Sequence, residues 1–284
     1  MTLDDKFNSI STRIITSFQG KISHGTGFFF QETQDRDPNV KEGQWSQIRN
    51  LWLITNKHVL LSRDNEGDYQ VPDSFTFHYR KINGSAIEWF PVTLNKDEIK
   101  KRAKIHINKT VDIAAIEILD LQTEVIKKHQ IVKNSVITEE NLPGKNKIDI
   151  EVSNETIILG YPKGFYDQLN LFPIVKSGII ASRWGAHFNG HPYFLIDAKL
   201  FPGSSGSLVI SRPINQVLYQ GKILTSQEKL FVFLGVYSGE PFRQSQPIDF
   251  DDMTIIRKEG FNLGIVWYSY LVVEIIKEGK NVGE

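Results

Sequence analysis

Three side chains of this 284-residue sequence could together perform acyl transfer: a serine at 205, a histidine at 58 and an aspartate at 112. Ser205 lies in Pro202-Gly203-Ser204-Ser205-Gly206-Ser207-Leu208-Val209. Glycines around a serine let the backbone turn tightly and set amide hydrogens beside the hydroxyl, which is what a developing oxyanion requires. Such a stretch before a strand is, by itself, most often only a turn. His58 follows the apolar run Leu51-Trp52-Leu53-Ile54-Thr55, on what reads as the first turn after a buried strand. Asp112 opens the apolar run Ile113-Ala114-Ala115-Ile116, where a carboxylate is costly unless it is paired. Taken singly, each has an ordinary reading: a surface or structural histidine, and a strand-entry aspartate.

Their order carries more information. His, Asp, Ser along the chain is the order of a chymotrypsin-type triad. The competing Gly-x-Ser-x-Gly elbow needs a glycine two residues after the serine and a histidine downstream. Ser207 occupies that glycine position, and all seven histidines (24, 58, 78, 106, 129, 187 and 191) precede Ser205. Order alone excludes the elbow.

At this point the wording of the motifs becomes specific. Ile54-Thr55-Asn56-Lys57-His58-Val59, Asp112-Ile113-Ala114-Ala115-Ile116 and Gly203-Ser204-Ser205-Gly206-Ser207 resemble the histidine, aspartate and nucleophile motifs of trypsin-like serine peptidases of the HtrA/Deg type. Gly25-Thr26-Gly27-Phe28 resembles the glycine-rich strand before the histidine. Gly160-Tyr161-Pro162-Lys163-Gly164 and Lys176-Ser177-Gly178-Ile179-Ile180 resemble the start of the second barrel. The resemblance runs from about residue 12 to residue 280. It implies Ser205 as nucleophile, His58 as general base and acid, Asp112 as its orienter, and the Gly203 and Ser205 amides as the oxyanion hole. It also puts Ser238 where a serine can touch the buried aspartate, beside the plainer reading of a strand-end hydroxyl. The specificity pocket falls near Lys199, Leu200, Gly239, Glu240 and Gly264. Lys199 pointing inward would favour acidic side chains and Glu240 basic ones; if both face solvent or pair with each other, apolar residues remain. HtrA/Deg proteases usually carry a PDZ domain after the protease domain, whereas this sequence ends with an apparent closing helix.

The elements that must hold such a site read as short β-branched and aromatic runs separated by polar turns: Arg13–Phe18, Gly27–Phe30, Leu51–Thr55, Ser74–Tyr79, Ile113–Ile118, Ile157–Tyr161, Ile174–Ala181, Tyr193–Ala198, Ser207–Ile210, Gln216–Leu224, Leu230–Tyr237 and Leu263–Trp267. Many strands at short spacing predict an all-β sandwich or barrel. With the resemblance, the expected fold is two packed six-stranded antiparallel Greek-key barrels and a C-terminal helix. One peptidase domain over 1–284 would then comprise a first barrel (12–120), a connection (121–155), a second barrel (156–267) and a closing helix (268–280). Leu271, Val272, Ile275 and Ile276 share one face of that helix. Asn56–Leu61 reads as one helical turn, and the polar connection as loop with a short helix. Segments 32–47 and 240–260 read as surface insertions.

Composition narrows the classes. Apolar residues make up 40% and charged residues 23%, so the chain is an ordinary globular one. Lys plus Arg equals Asp plus Glu at 33 each, and no overall field draws the chain to nucleic acid or to a membrane. The absence of cysteine removes disulfides, thiolate metal sites and a cysteine nucleophile together. No secretory leader and no spanning apolar stretch is evident, so a soluble, cytoplasmic protein is expected. The alternating acids Asp64, Glu66 and Asp68 lack the calcium-loop pattern, and Lys100-Lys101-Arg102 with Lys104 reads as a solvated face. No cofactor or metal is expected. The partners expected are protein or peptide substrates and a regulatory protein. The alternative function is a protease-fold binding module, silent or awaiting a partner, for instance in a stress or anti-viral response.

Overall fold

The computed structural model describes residues 2–33, 48–63, 68–83, 86–129, 134–145, 147–162, 165–219, 222–244, 246, 248–250, 253–255 and 258–283. Of the residues singled out above, Asp64, Glu66, Lys163 and Gly164 lie outside these, as do most of 32–47 and parts of 240–260.

The β-rich runs become strands, as their branched and aromatic side chains suit a pleated, half-buried surface. In the second half, six of them close into an antiparallel barrel in the order Glu155–Gly160, Ile174–Ile180, Tyr193–Asp197, Leu263–Tyr268, Phe233–Gly239, Leu208–Ser211. The first half is a nine-stranded sheet rather than a closed six-stranded ladder. Its path runs Lys280–Asn281, Ala103–Ile105, Ala114–Glu117, Ile48–Thr55, Lys21–Thr33, Ser11–Phe18, Ser74–Asn83, Ala86–Asn95, with Ile137–Thr138 added in parallel to Lys21–Thr33.

Between Ala86–Asn95 and Ala103–Ile105 the chain runs as the helix Lys96–Arg102. Asn95 caps it by accepting from the Asp97 and Glu98 amides, and Glu98 returns a carboxylate to the Asn95 amide. Lys100, Lys101 and Arg102 then complement the helix dipole in its last turn, and Ile99 is the buried residue. The basic run is therefore more than a solvated face. Arg102 grips Asp120 through two bonds of 2.6 and 2.7 Å, which lowers the Asp120 carboxyl pKa. Lys104 donates to the Ile276 carbonyl and lies over the Trp52 ring. In the connection, residues Leu119–His129 are helical. The closing helix Tyr270–Glu278 buries Leu271, Val272, Ile275 and Ile276, as its spacing predicts. Among the described residues no helix is long and apolar enough to cross a membrane.

Two apolar clusters form the core, and three adjacent strands separate them. Successive side chains of a strand point to opposite faces. Phe28 and Phe30, Trp52 and Ile54, and Ala115 face the cluster shared with the barrel; Phe29, Leu51, Leu53, Ala114 and Ile116 face the other. Phe28 meets Phe233 of the barrel edge-on at 5.3 Å, and Phe233 is fully buried. Phe233→Ala is expected to cost about 3–5 kcal/mol, read by urea denaturation.

His24 and His78 are both held below the ordinary histidine pKa of 6.5, chiefly by lost hydration, partial at the exposed His24, and then by the nearby Arg13 guanidinium. The unfolded chain therefore binds these protons first as pH falls. Stability from this source is present above pH 6.5 and is lost on acidification below it. Denaturation midpoints measured from pH 7 to pH 5 are expected to fall less steeply for the double variant His24→Gln/His78→Gln than for the parent.

Candidate active site

The strand Ile48–Thr55 ends in a single helical turn, Lys57–Leu60, closed by the Leu61 amide on the Lys57 carbonyl. Two buried side chains of that turn tie it to the segment before Asp112. Asn56 donates through Nδ2 to the Asp112 carbonyl at 2.6 Å. Lys57, only 4% exposed, donates through Nζ to the Lys109 carbonyl at 2.6 Å and lies over the Tyr69 ring. His58 thus leaves the turn on its exposed side while the residues before it anchor the turn.

The Asp112 carboxylate, half-buried, collects three donors. Oδ1 accepts the His58 backbone N–H at 2.9 Å. Oδ2 accepts from His58 Nδ1 at 2.6 Å and from the Ser238 hydroxyl at 2.6 Å. A neutral imidazole with Nδ1 against a carboxylate carries its proton there, leaving the Nε2 lone pair free. Of the two readings of Ser238, the contact with the aspartate is the one realised.

Ser205 sits in the turn that leads into Leu208–Ser211. Gly206 has φ +85°, and a Cβ there would stand 2.0 Å from the Thr26 carbonyl oxygen and 2.5 Å from Thr55 Oγ1. Only glycine fits both demands. Gly203 has φ 91°. Within the turn, the Ser204, Gly206 and Ser207 amides donate to the carbonyls of Phe201, Tyr237 and Ser204. The Gly203 and Ser205 amides have no acceptor among the described residues. The Ser205 hydroxyl donates to the Ser238 carbonyl at 2.9 Å instead of to His58. Ser238 therefore touches two of the three sequence-predicted residues, with its hydroxyl on Asp112 and its carbonyl on Ser205.

The family model for the trypsin-like peptidase domain matches residues 25–218, a stretch that contains His58, Asp112 and Ser205 in order. The chain belongs to the trypsin-like peptidase family. It is a trypsin-like serine protease. No curated protein matches its sequence. Solved structures similar to this peptidase include the Rv3671c protease of M. tuberculosis in its active form, at 13% identity and TM-score 0.44, covering 96% of this chain and 81% of that one. A scabies mite inactivated protease paralogue matches at 11% identity and TM-score 0.48, covering 98% and 96%. The catalytically active tobacco etch virus protease with its product matches at 8% identity and TM-score 0.46, covering 99% and 83%. Family membership rests on the sequence match.

The expected pocket residues of the peptidase are less convergent than its His, Asp and Ser. Glu240 is turned to the 260–262 segment, where Oε1 accepts the Asn262 amide at 2.6 Å; it does not pair with Lys199. Lys199 is exposed, and its carbonyl takes the Lys176 ammonium. Leu200 is half-buried against the core. Gly264 is buried against Ile196 and Tyr237, whereas a Cβ on Gly239 would meet open space. A groove opens beside His58, lined by Leu61, Arg63, Tyr69, Lys109 and Thr110. Asn56, Lys57 and Thr26 escaped the sequence reading as site residues, although all three lie inside motifs that it quoted.

Gly206→Ala forces a side chain into left-handed backbone and against a carbonyl oxygen. The substitution is expected to cost upwards of ~2 kcal/mol, read as a lower urea midpoint.

Proposed function

We propose that this peptidase is an endopeptidase using Ser205, His58 and Asp112 as a catalytic triad, with the Gly203 and Ser205 amides as the oxyanion hole. The observation that carries this reading is the Asp112 carboxylate, which meets the His58 backbone, the His58 ring and Ser238 at 2.6–2.9 Å. That arrangement leaves Nε2 of His58 as the free base.

The reaction then follows from what each group can do. The Ser205 hydroxyl rotates about χ1 from the Ser238 carbonyl towards His58 Nε2. As Oγ attacks the scissile carbonyl, its proton passes to Nε2, and Asp112 stabilises the imidazolium. The carbonyl electron pair moves onto oxygen, which the two unpaired amides receive. Collapse breaks the C–N bond, and Nε2 gives its proton to the leaving amine. Water repeats the sequence on the acyl-enzyme: its proton goes to Nε2, its oxygen to the acyl carbon, and Ser205 recovers its proton. An extended substrate would lie as an added strand along Ser238–Glu240, where the open face of Gly239 leaves room.

In this reading the nine-stranded sheet is the first barrel of the trypsin-like pair, with the helix Lys96–Arg102 spanning its gap. Residues 1–284 act as one peptidase domain. Protein or peptide substrates follow from the family. Action inside the cell is supported by the cysteine-free composition. A second reading, a latent site released by a regulatory partner, is favoured by one observation: the nucleophile is bonded to the Ser238 carbonyl and not to His58.

The test is labelling with a serine-directed phosphonate together with cleavage of a proteome-derived peptide library. An adduct on Ser205 is expected, and Ser205→Ala should lower turnover about a millionfold. Folded protein with neither adduct nor cleavage sinks the active-enzyme reading; activity that appears only with an added partner selects the latent one. Ser238→Ala, which removes one of three bonds to Asp112, should lower kcat about tenfold while leaving Ser205 open to the probe.

A further inference from the structure

We infer that Thr26 is a positioning residue for the oxyanion turn, holding it from the opposite half of the molecule. The inference rests on the serine-peptidase reading given above. Thr26 belongs to the strand Lys21–Thr33 of the nine-stranded sheet, and its side chain is fully buried. Every polar group that it owns is used. Its N–H donates to the Ser205 carbonyl at 2.9 Å. Its hydroxyl donates to the Gly203 carbonyl at 3.0 Å and accepts the Tyr161 amide at 3.0 Å. Its carbonyl accepts the Thr55 hydroxyl at 2.7 Å.

The direction of these bonds is fixed by chemistry. A backbone amide only donates and a carbonyl only accepts. The single hydroxyl proton must therefore point at Gly203, while a lone pair faces Tyr161. No hydrocarbon of the same shape replaces this. Valine would take the partner from the half-buried Gly203 carbonyl and from the buried Tyr161 amide, and the cost is greatest for the amide.

The link to chemistry lies in the peptide planes. In a trans peptide the carbonyl and the next residue's N–H point oppositely. With the Gly203 carbonyl held by Thr26, the Ser204 amide points to the Phe201 carbonyl. With the Ser205 carbonyl held by Thr26, the Gly206 amide points to the Tyr237 carbonyl. Both planes that flank the Ser204–Ser205 peptide are thus pinned at two ends. The Ser205 amide lies between them, and the Gly203 amide precedes them at a positive φ; both lack acceptors among the described residues. One buried threonine sets the orientation of the turn whose unpaired amides the reaction uses. A Cβ on Gly160 would stand 3.1 Å from the Thr26 hydroxyl, and one on Gly206 2.0 Å from its carbonyl oxygen, so glycines on both sides make the approach feasible.

The experiment compares Thr26→Val, Thr26→Ser and Thr26→Cys with the parent chain on one peptide substrate, with melting temperatures measured on the same preparations. Thr26→Val is expected to lower kcat on the order of a hundredfold, the scale of losing an oxyanion donor, with KM within about threefold. Thr26→Ser keeps the hydroxyl and should keep kcat within about threefold. Thr26→Cys, close in volume with a weaker donor, should fall about tenfold, and it decides the matter where Thr26→Val fails to fold. Parental kcat in folded Thr26→Val or Thr26→Cys, or a change confined to melting temperature, overturns the inference and leaves the peptidase reading standing. Absence of Ser205-dependent hydrolysis in the parent chain overturns both.

Discussion

A carboxylate at the mouth of an apolar strand must be answered by donors, and Asp112 is answered by three. Much of the site can be followed outward from that constraint. The His58 backbone and ring supply two donors, which fixes the helical turn against the start of Ala114–Glu117. Ser238 supplies the third, which brings the strand Phe233–Gly239 of the barrel against the sheet. Because the Ser238 carbonyl also receives the Ser205 hydroxyl, Ser205 is connected to the same carboxylate through one residue. Asn56 and Lys57 brace the arrangement from behind with bonds to backbone carbonyls, and so leave the carboxylate to its three donors.

Such a site spans two halves of a chain without a covalent cross-link, since the sequence has no cysteine. Packing and buried polar bonds hold them together. Phe28 against Phe233 supplies the apolar part, and the three bonds of Thr26 to Gly203, Ser205 and Tyr161 supply the polar part. The polar contacts are as exacting as the apolar ones, for each ends on a backbone carbonyl or amide whose direction is fixed by its peptide plane.

Much of this could be read from residue types. The histidine turn, the strand-opening aspartate and the Gly-Ser turn each sit where the spacing implied, because each depends on local chemistry. The closing helix was legible from four apolar residues on one face. The helix Lys96–Arg102 was not read, although Asn95 and Glu98 form its capping box: the basic residues after it drew attention to charge rather than to the cap. Closure of the first sheet depends on how distant strands meet, and no local pattern encodes it. The pocket resisted for a related reason. Glu240 bonds to an amide 22 positions further along the chain, and a residue type says nothing of which backbone group its carboxylate will find.

The strand Lys21–Thr33 behaves as a party wall. Phe28 and Phe30 face one core, Phe29 faces the other, and Thr26 reaches the turn around Ser205. Inserting one residue between Thr26 and Phe28 would exchange the two sides. Each phenylalanine would then be aimed at the wrong core, while the hydroxyl two positions earlier lost its alignment with them. The length of this segment is constrained as tightly as its composition, so natural variation here should take the form of substitution rather than insertion or deletion.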